Sequence, residues 1–249
     1  MVRLTLLCSL ILSCFAAHAL RAEDVEELAR IHVEAIGGRE RLARIEALRA
    51  RGHVVAPDQM LLFEMMAQRP NRVRITMRGG GRTLIQGTDG VAAPWRQEPE
   101  RSPRAVPMSE AEGREFAADA EFDDPLASAA ERGYQLDLAG ETDWENRRVF
   151  RVLVTRRDTT PSYLLVDSET YFILARLTTQ RMPSGRTVQV EMRYDDFRPV
   201  GGVIYPHRVE TLIDDQRVRQ TVLTSIQAIP APPPEIFVMP GAAGAGANL

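Results

Sequence analysis

Along most of this chain apolar and polar residues alternate one by one. Leu61, Phe63, Met65 and Ala67 mark one side of a run over 60–68, and Val73, Ile75 and Met77 one side of a run over 71–78. Arg69-Pro70-Asn71 separates the two runs, and Asp89-Gly90 followed by Trp95 closes the stretch. A period of two broken by Pro, Gly and Asn predicts antiparallel strands with one apolar face. The same pattern predicts strands over 47–55, 82–88 and 91–96, with Gly79-Gly80-Gly81 as a tight turn. After Gly133 it predicts strands over 134–141, 148–156, 161–167, 171–182, 186–198, 203–214 and 216–229. The turns between them lie at 143–147, 157–160, 167–169, 183–185, 201–202 and 214–215.

The helical period replaces this alternation in two places. Val25, Leu28, Ala29, His32, Ala35 and Ile36 share one side of a helix over 24–36, which Gly37-Gly38 ends, and a shorter helix over 39–45 carries Leu42 and Ile45. Ser109 with Glu112 makes a capping box for a helix bearing Phe116, Ala117 and Ala120, and Pro125 opens another over 125–132. The stretch 97–107 holds three prolines and several charges and is excluded from a central strand.

These elements predict a mainly β, α+β fold: an incomplete, half-open antiparallel β-barrel of about 11 strands, covered by the N-terminal helix and the mid-chain helices. An apolar sheet face under a helical lid forms a container for an apolar ligand. Leu61, Phe63, Met65, Val73, Ile75, Met77, Ile85, Trp95, Phe116 and Leu126 are the expected lining of its cavity. Met60, Met66, Met108, Met182 and Met192 extend a methionine-rich set suited to flexible chains. Burying an acyl chain of about sixteen carbons gains roughly 12 kcal/mol gross, at about 0.8 kcal/mol per methylene. Trp144, in a polar hairpin, is expected at the surface or packed at the turn.

Composition adds the compartment. Arg3, the apolar run 4–15 and Ala17-His18-Ala19 read as an export signal cleaved near Ala19 or Ala22, so residues 1–22 are excluded from the fold. Residues 23–240 are then one half-barrel domain and 241–249 a disordered tail, in a periplasmic protein. A lipid anchor on Cys14, after Ile11-Leu12-Ser13, is the minor alternative. Both cysteines, Cys8 and Cys14, fall in that segment, so the mature chain relies on its core rather than on disulfides. All 31 basic residues are arginine; removing Arg3 and Arg21 leaves 29 against 34 acids, a net of −5, with the signs interspersed. Such a surface gives nucleic acid no basic face.

His32, His53 and His207 lack the spacing of a zinc site. Asp123-Asp124, Asp195-Asp196 and Asp214-Asp215 read as solvated acids, and no nucleophile, phosphate-loop or dinucleotide motif occurs. The expectation is a non-enzymatic protein without catalytic residues, cofactor or metal.

Several short motifs, in order, resemble the LolA-like outer-membrane lipoprotein-sorting family of periplasmic lipoprotein carriers. They are Ile36-Gly37-Gly38 with Leu42 and Ile45; Arg69-Pro70-Asn71; Asp89-Gly90 with Trp95; and Asp124-Pro125-Leu126 before Gly133. Leu138-x-Gly140-Glu141, Asp167-x-x-Thr170, the 194–198 run Tyr-Asp-Asp-Phe-Arg and the 202–206 run Gly-Val-Ile-Tyr-Pro complete them. The resemblance implies a monomeric carrier that binds acyl chains of a lipid or lipoprotein. It implies loading by an inner-membrane transporter and delivery to an outer-membrane acceptor. It also implies that Arg69 latches the lid, where the residues alone allow a solvated strand-end arginine. A lipid sensor of the same fold that regulates a protein partner in envelope stress is the alternative, and a hydrolase with a scattered site is a third. The long 97–132 insert and long late strands depart from the smallest carriers and widen the ligand to glycolipids, sterol-like lipids or other hydrophobes.

Overall fold

The computed structural model describes residues 13–156, 161–182 and 184–241, with side chains in the first helix described from Asp24 onward. Helix α1 (Ser13–Ala35) and the short α2 (Arg39–Arg44) precede strands β1 (Ala47–Ala56), β2 (Gln59–Gln68), β3 (Arg72–Gly79), β4 (Arg82–Thr88), β5 (Trp95–Gln97) and β6 (Val106–Pro107). Helices α3 (Glu110–Asp119) and α4 (Pro125–Arg132) follow. The rest is β7 (Gln135–Trp144), β8 (Arg147–Thr155), β9 (Ser162–Asp167), β10 (Ile173–Arg181), β11 (Thr187–Val200), β12 (Val203–Ile213) and β13 (Gln216–Ile229), then a 3-10 turn, Pro234–Ile236.

All 13 strands join one sheet in the order β6-β5-β4-β3-β2-β1-β13-β12-β11-β10-β9-β8-β7, and every pairing is antiparallel. Two meanders therefore grow outward from the central β1–β13 pair. The sheet does not close, and its two edges, β6 and β7, are consecutive in sequence. The connection between those edges consists of α3 and α4.

The strand expectations match β1 to β4 and β7 to β13 within a few residues. The expected strand 91–96 is shorter, starting at Trp95. The Asp89 carboxylate accepts hydrogen bonds from the amides of Val91 (2.9 Å) and Ala92 (2.8 Å), holding a loop where a ladder was expected. β6 adds a two-residue edge strand, where Pro107 is tolerated. Of the expected export signal, residues 1–12 lie outside the described residues, and from Ser13 the chain is helical and continuous with α1. Residues 242–249 of the expected tail, the turn at 157–160 and Pro183 also lie outside them. Among the described residues no helix is long and apolar enough to cross a membrane.

α1 ends where expected. The Gly38 amide bonds to the Val33 carbonyl at 2.8 Å, and Gly37 has φ +133°. A Cβ on Gly37 would lie 2.4 Å from the Gly202 carbonyl oxygen, so only glycine lets the β11–β12 turn come this close to the helix end. That approach lets the Ile204 amide reach the Ile36 carbonyl at 2.8 Å, tying helix to sheet. Val25 and Leu28 of α1 and Leu126 of α4 fill the inner face of the late strands, against Val152, Val154, Leu164 and Val166. Val33, Ile36, Leu42 and Ile45 pack on Leu48 of β1, Val200 of β11 and Val203 of β12. A separate outer cluster joins Val149, Leu165, Leu174 and Ala175 with Phe172, Phe197 and Trp144, so Trp144 packs at its turn as expected.

Candidate functional site

Directly opposed residues of an antiparallel pair share a face, so the register sorts the expected lining. Leu48, Ala50 and Val54 oppose Ala67, Met65 and Leu61, and Ala67, Met65 and Phe63 oppose Val73, Ile75 and Met77. This is the helix-covered face, because Ala67 and Val73 are buried against Ala120, with Met65, Ile75, Phe116 and Phe122 around them. Coverage fades along the strands. Ala67 and Val73 are buried, whereas Leu61, Phe63, Met65, Ile75 and Met77 keep partial exposure. Leu84, which opposes Met77, belongs to this wall and is absent from the expected lining. The outcome is an apolar trough, closed at the α3 end and open toward the β1–β2 and β3–β4 hairpins.

Ile85 and Trp95 do not belong to it. Ile85 opposes Thr76 and Gln97, and Trp95 opposes Gly87, all on the outer face. Trp95 is buried there, donating its Nε1–H to the Phe237 carbonyl at 2.9 Å. A Cβ on Gly87 would meet the indole at 2.7 Å, so glycine makes the ring's seat. An outer cavity of about 180 Å³ beside it is lined by Asp89, Ala92, Ala93, Trp95, Pro107, Val238 and Met239. The expectation chose apolar residues from one stretch without applying the period of two to them, which places 84 inside and 85 outside. Met60 and Met66 are likewise outward, opposite Val55 and Arg49. Leu126 is buried, but it plugs the late strands rather than lining the trough.

Arg69 is no solvated strand-end arginine. Its Nε–H donates to the Ile45 carbonyl at 2.7 Å and its Nη2–H to the Leu42 carbonyl at 2.6 Å, satisfying carbonyls at the end of α2. Its Nη1 pairs with the Asp123 carboxylate between α3 and α4, and the guanidinium lies 4.5 Å from the Phe122 ring centroid. The Pro70 carbonyl, after a cis Arg69–Pro70 bond, accepts from the Phe122 amide at 3.1 Å and from Arg132 at 2.8 Å. One turn of the sheet thus holds α2, the α3–α4 connection and α4.

Asp124 works from the same connection. As N-cap of α4 its side chain accepts from the amides of Leu126 (2.9 Å) and Ala127 (3.0 Å). Its other oxygen lies 3.1 Å from Nε2 of His32, whose Nδ1 lies 2.7 Å from the Tyr171 carbonyl. Both ring nitrogens face acceptors, which favours the imidazolium. Burial pulls the His32 pKa down, but the Asp124 charge, its hydrogen bond and the Tyr171 carbonyl outweigh that and raise it. Burial pushes Asp124 up, and His32 with the two helix amides outweighs it, leaving its carboxyl below the ordinary value.

The pairing continues back along the connection. Asp119 accepts from Arg176 of β10 at 2.6 Å. Glu121 takes the Tyr134 hydroxyl and lies 3.3 Å from Arg156 and 3.6 Å from Arg132. Asp123 and Asp124, expected as solvated acids, are therefore both ion-paired and largely buried. Sequence offered only a faint signal: acids at 119, 121 and 123 where the helical period of α3 runs out. Asp195, Asp196 and Asp214 pair with Arg208, Arg198 and Arg186 in exposed positions. Among the described residues no three His, Cys, Asp or Glu side chains converge to hold a metal.

No protein-family model matches the sequence, and no curated protein matches it significantly. Solved structures match its fold. A domain from Vibrio parahaemolyticus described as an outer membrane lipoprotein-sorting protein aligns with 87% of this chain and 97% of its own, at TM-score 0.61 and 12% identity. A DUF1329 family protein from Desulfovibrio piger aligns with 88% of this chain and 97% of its own, at TM-score 0.62 and 10% identity. A LolA superfamily protein from Nitrosomonas europaea aligns with the same shares, 88% and 97%, at TM-score 0.55 and 14% identity. At such identities the likeness is one of fold, and the open antiparallel sheet under a helical lid is LolA-like.

Proposed function

We propose that this protein is a periplasmic carrier that takes the acyl chains of a lipid or lipoprotein into the apolar trough and delivers them toward the outer membrane. The observation that carries this reading is the contrast between wall and lid. Leu61, Phe63, Met65, Ile75 and Met77 line an inner face that the helices leave partly uncovered. The α3–α4 connection above it is held by ion pairs to Arg69, His32, Arg156 and Arg176. Charge pairs release more readily to water than a packed apolar seam does, because the separated ions regain hydration. An inner-membrane transporter that loads the trough and an outer-membrane acceptor that unloads it are the partners proposed with it. The carrier acts as a monomer and performs no covalent chemistry.

Native mass spectrometry of the full chain purified from periplasm is the test. Co-purified lipid that falls away when Phe63 and Met77 are both changed to Ser supports the reading. A chain repeatedly free of lipid, and unable to take up a fluorescent long-chain fatty acid, removes it.

A further inference from the structure

We propose that Arg156 and Arg176 form a headgroup site on the inner face of the late strands beside α3, taking the oxyanion of an anionic lipid in place of Asp119 and Glu121. This rests on the carrier reading above and specifies its ligand class. Arg176 opposes Leu164 and Met192, and Thr178 opposes Val190, which places them on the inner face. Arg176 also lies 3.2 Å from the Met192 sulfur. Arg156, at the end of β8, and Arg176 line a small cavity of about 20 Å³ with Ser162, Thr178, Glu115, Ala118 and Asp119. Both guanidiniums are deeply buried, with side-chain exposures of 10% for Arg156 and 17% for Arg176.

Their bonding is incomplete. Nε of Arg156, Nε of Arg176 and Oε2 of Glu121 are buried and make no hydrogen bond among the described residues. Folded proteins pair nearly all such groups, so each exception calls for a partner. The contrast with Arg69 is internal to the molecule: there Nε and Nη2 reach carbonyls at 2.7 and 2.6 Å. At Arg156 the carboxylate contact is a loose 3.3 Å. The forks at Arg156 and Arg176 thus keep unused donors, and the Ser162 and Thr178 hydroxyls beside them can add more.

The division of charge between sheet and lid supplies the exchange. The arginines belong to strands; Asp119 and Glu121 belong to the lid, with Glu115 at its rim. When the lid lifts, the carboxylates leave and the two guanidiniums face the opened trough without a protein partner. Donors freed in this way are available to a new anion. A phosphate or carboxylate carried by acyl chains meets both needs, because its chains lie along the trough while its oxygens take the forks bidentately. The lid acids hold the site while it is empty, and the ligand competes with them.

Binding of dipalmitoyl phosphatidate, dipalmitoylglycerol and inorganic phosphate to the full chain tests this. Phosphatidate is expected to bind about tenfold more tightly than the glycerol with the same chains, the scale of one charged hydrogen-bonded contact. Asp119→Asn should strengthen phosphatidate binding, because the lid competes less. The paired change R176Q/D119N keeps the cluster's charge balanced; it should abolish the preference, so that phosphatidate and dipalmitoylglycerol bind this variant equally. Equal binding of the two lipids by the wild-type chain overturns the headgroup site and leaves the carrier standing. A preference that survives R176Q/D119N also overturns it. Phosphate binding as tightly as phosphatidate would assign the arginines to a free anion instead. Failure of both lipids to bind removes the carrier reading, and this inference with it.

Discussion

The early and late halves of the sheet carry the same alternation and meet opposite fates. On the late strands the inner residues Val152, Val154, Leu164 and Val166 are at most 1% exposed, sealed by Val25, Leu28 and Leu126. On β2 and β3 Leu61, Phe63 and Met77 are at least as large, yet they remain partly exposed because helical cover reaches that side through Phe116, Ala120 and Phe122 at the Ala67–Val73 end. One half is sealed core and the other is left partly open. The difference lies in where helices dock, not in the strands themselves.

This contrast can be broken from either side, and the largest effect is expected in the core. Leu126→Ala should cost about 2–5 kcal/mol of global stability, as a cavity under a sealed face does. Met77→Ala on the open wall should cost under about 1 kcal/mol, since it removes little buried area, while weakening lipid uptake. Urea unfolding of the two variants decides it; equal losses would mean that the open wall is ordinary core.

Arg69→Leu comes next. It strips Asp123 and the Leu42 and Ile45 carbonyls of their partner and should weaken lid closure by about 3 kcal/mol, the low end for breaking a buried pair because both side chains retain some solvent contact. Hydrogen exchange in 119–124 should accelerate while exchange in β8 and β9 does not. Unchanged uptake, release and exchange would dismiss the latch.

The His32–Asp124 pair predicts a smaller, pH-dependent effect. His32 has a raised pKa, so its contribution is full below the ordinary histidine value of 6.5 and is lost as pH rises through its folded value. Asp124 has a lowered pKa, so its contribution is full above the ordinary value of 3.8 and is lost as pH falls through its folded value. Lid exchange should therefore speed up on the alkaline side, in a scan from about pH 6 to about pH 9. His32→Gln should flatten that limb; a limb that persists would place the titration elsewhere.

The smallest effect is expected at Trp95. Trp95→Phe removes the bond to the Phe237 carbonyl and should cost about 1 kcal/mol with no change in lipid uptake, because the ring lies on the outer face. Reduced uptake would move the trough wall to the side that register assigns to the exterior.

Much of this was legible in the sequence. The period of two located 11 of the 13 strands to within a few residues, since the turns at Gly79-Gly80-Gly81, Gly201-Gly202 and Asp214-Asp215 are encoded locally. The cap at Ser109, the Pro125 start of α4 and the glycine stop of α1 were equally local. The site was legible in part. Leu61, Phe63, Met65, Val73, Ile75 and Met77 share a face because they alternate in register, whereas Ile85 and Trp95 turn away for the same reason.

What tertiary structure alone decided is which face became interior and which charges met. Alternation defines two faces and is indifferent to which one is covered, so β2 and β8 read alike until α1, α3 and α4 dock. The pairing of β1 with β13 makes β6 and β7 the edges and α3 and α4 the connection between them. The contacts that hold this lid span 54 residues from Arg69 to Asp123, 57 from Asp119 to Arg176 and 92 from His32 to Asp124. Such pairs have no local signature, because charge attraction depends on distance in space and burial, and chain order records neither.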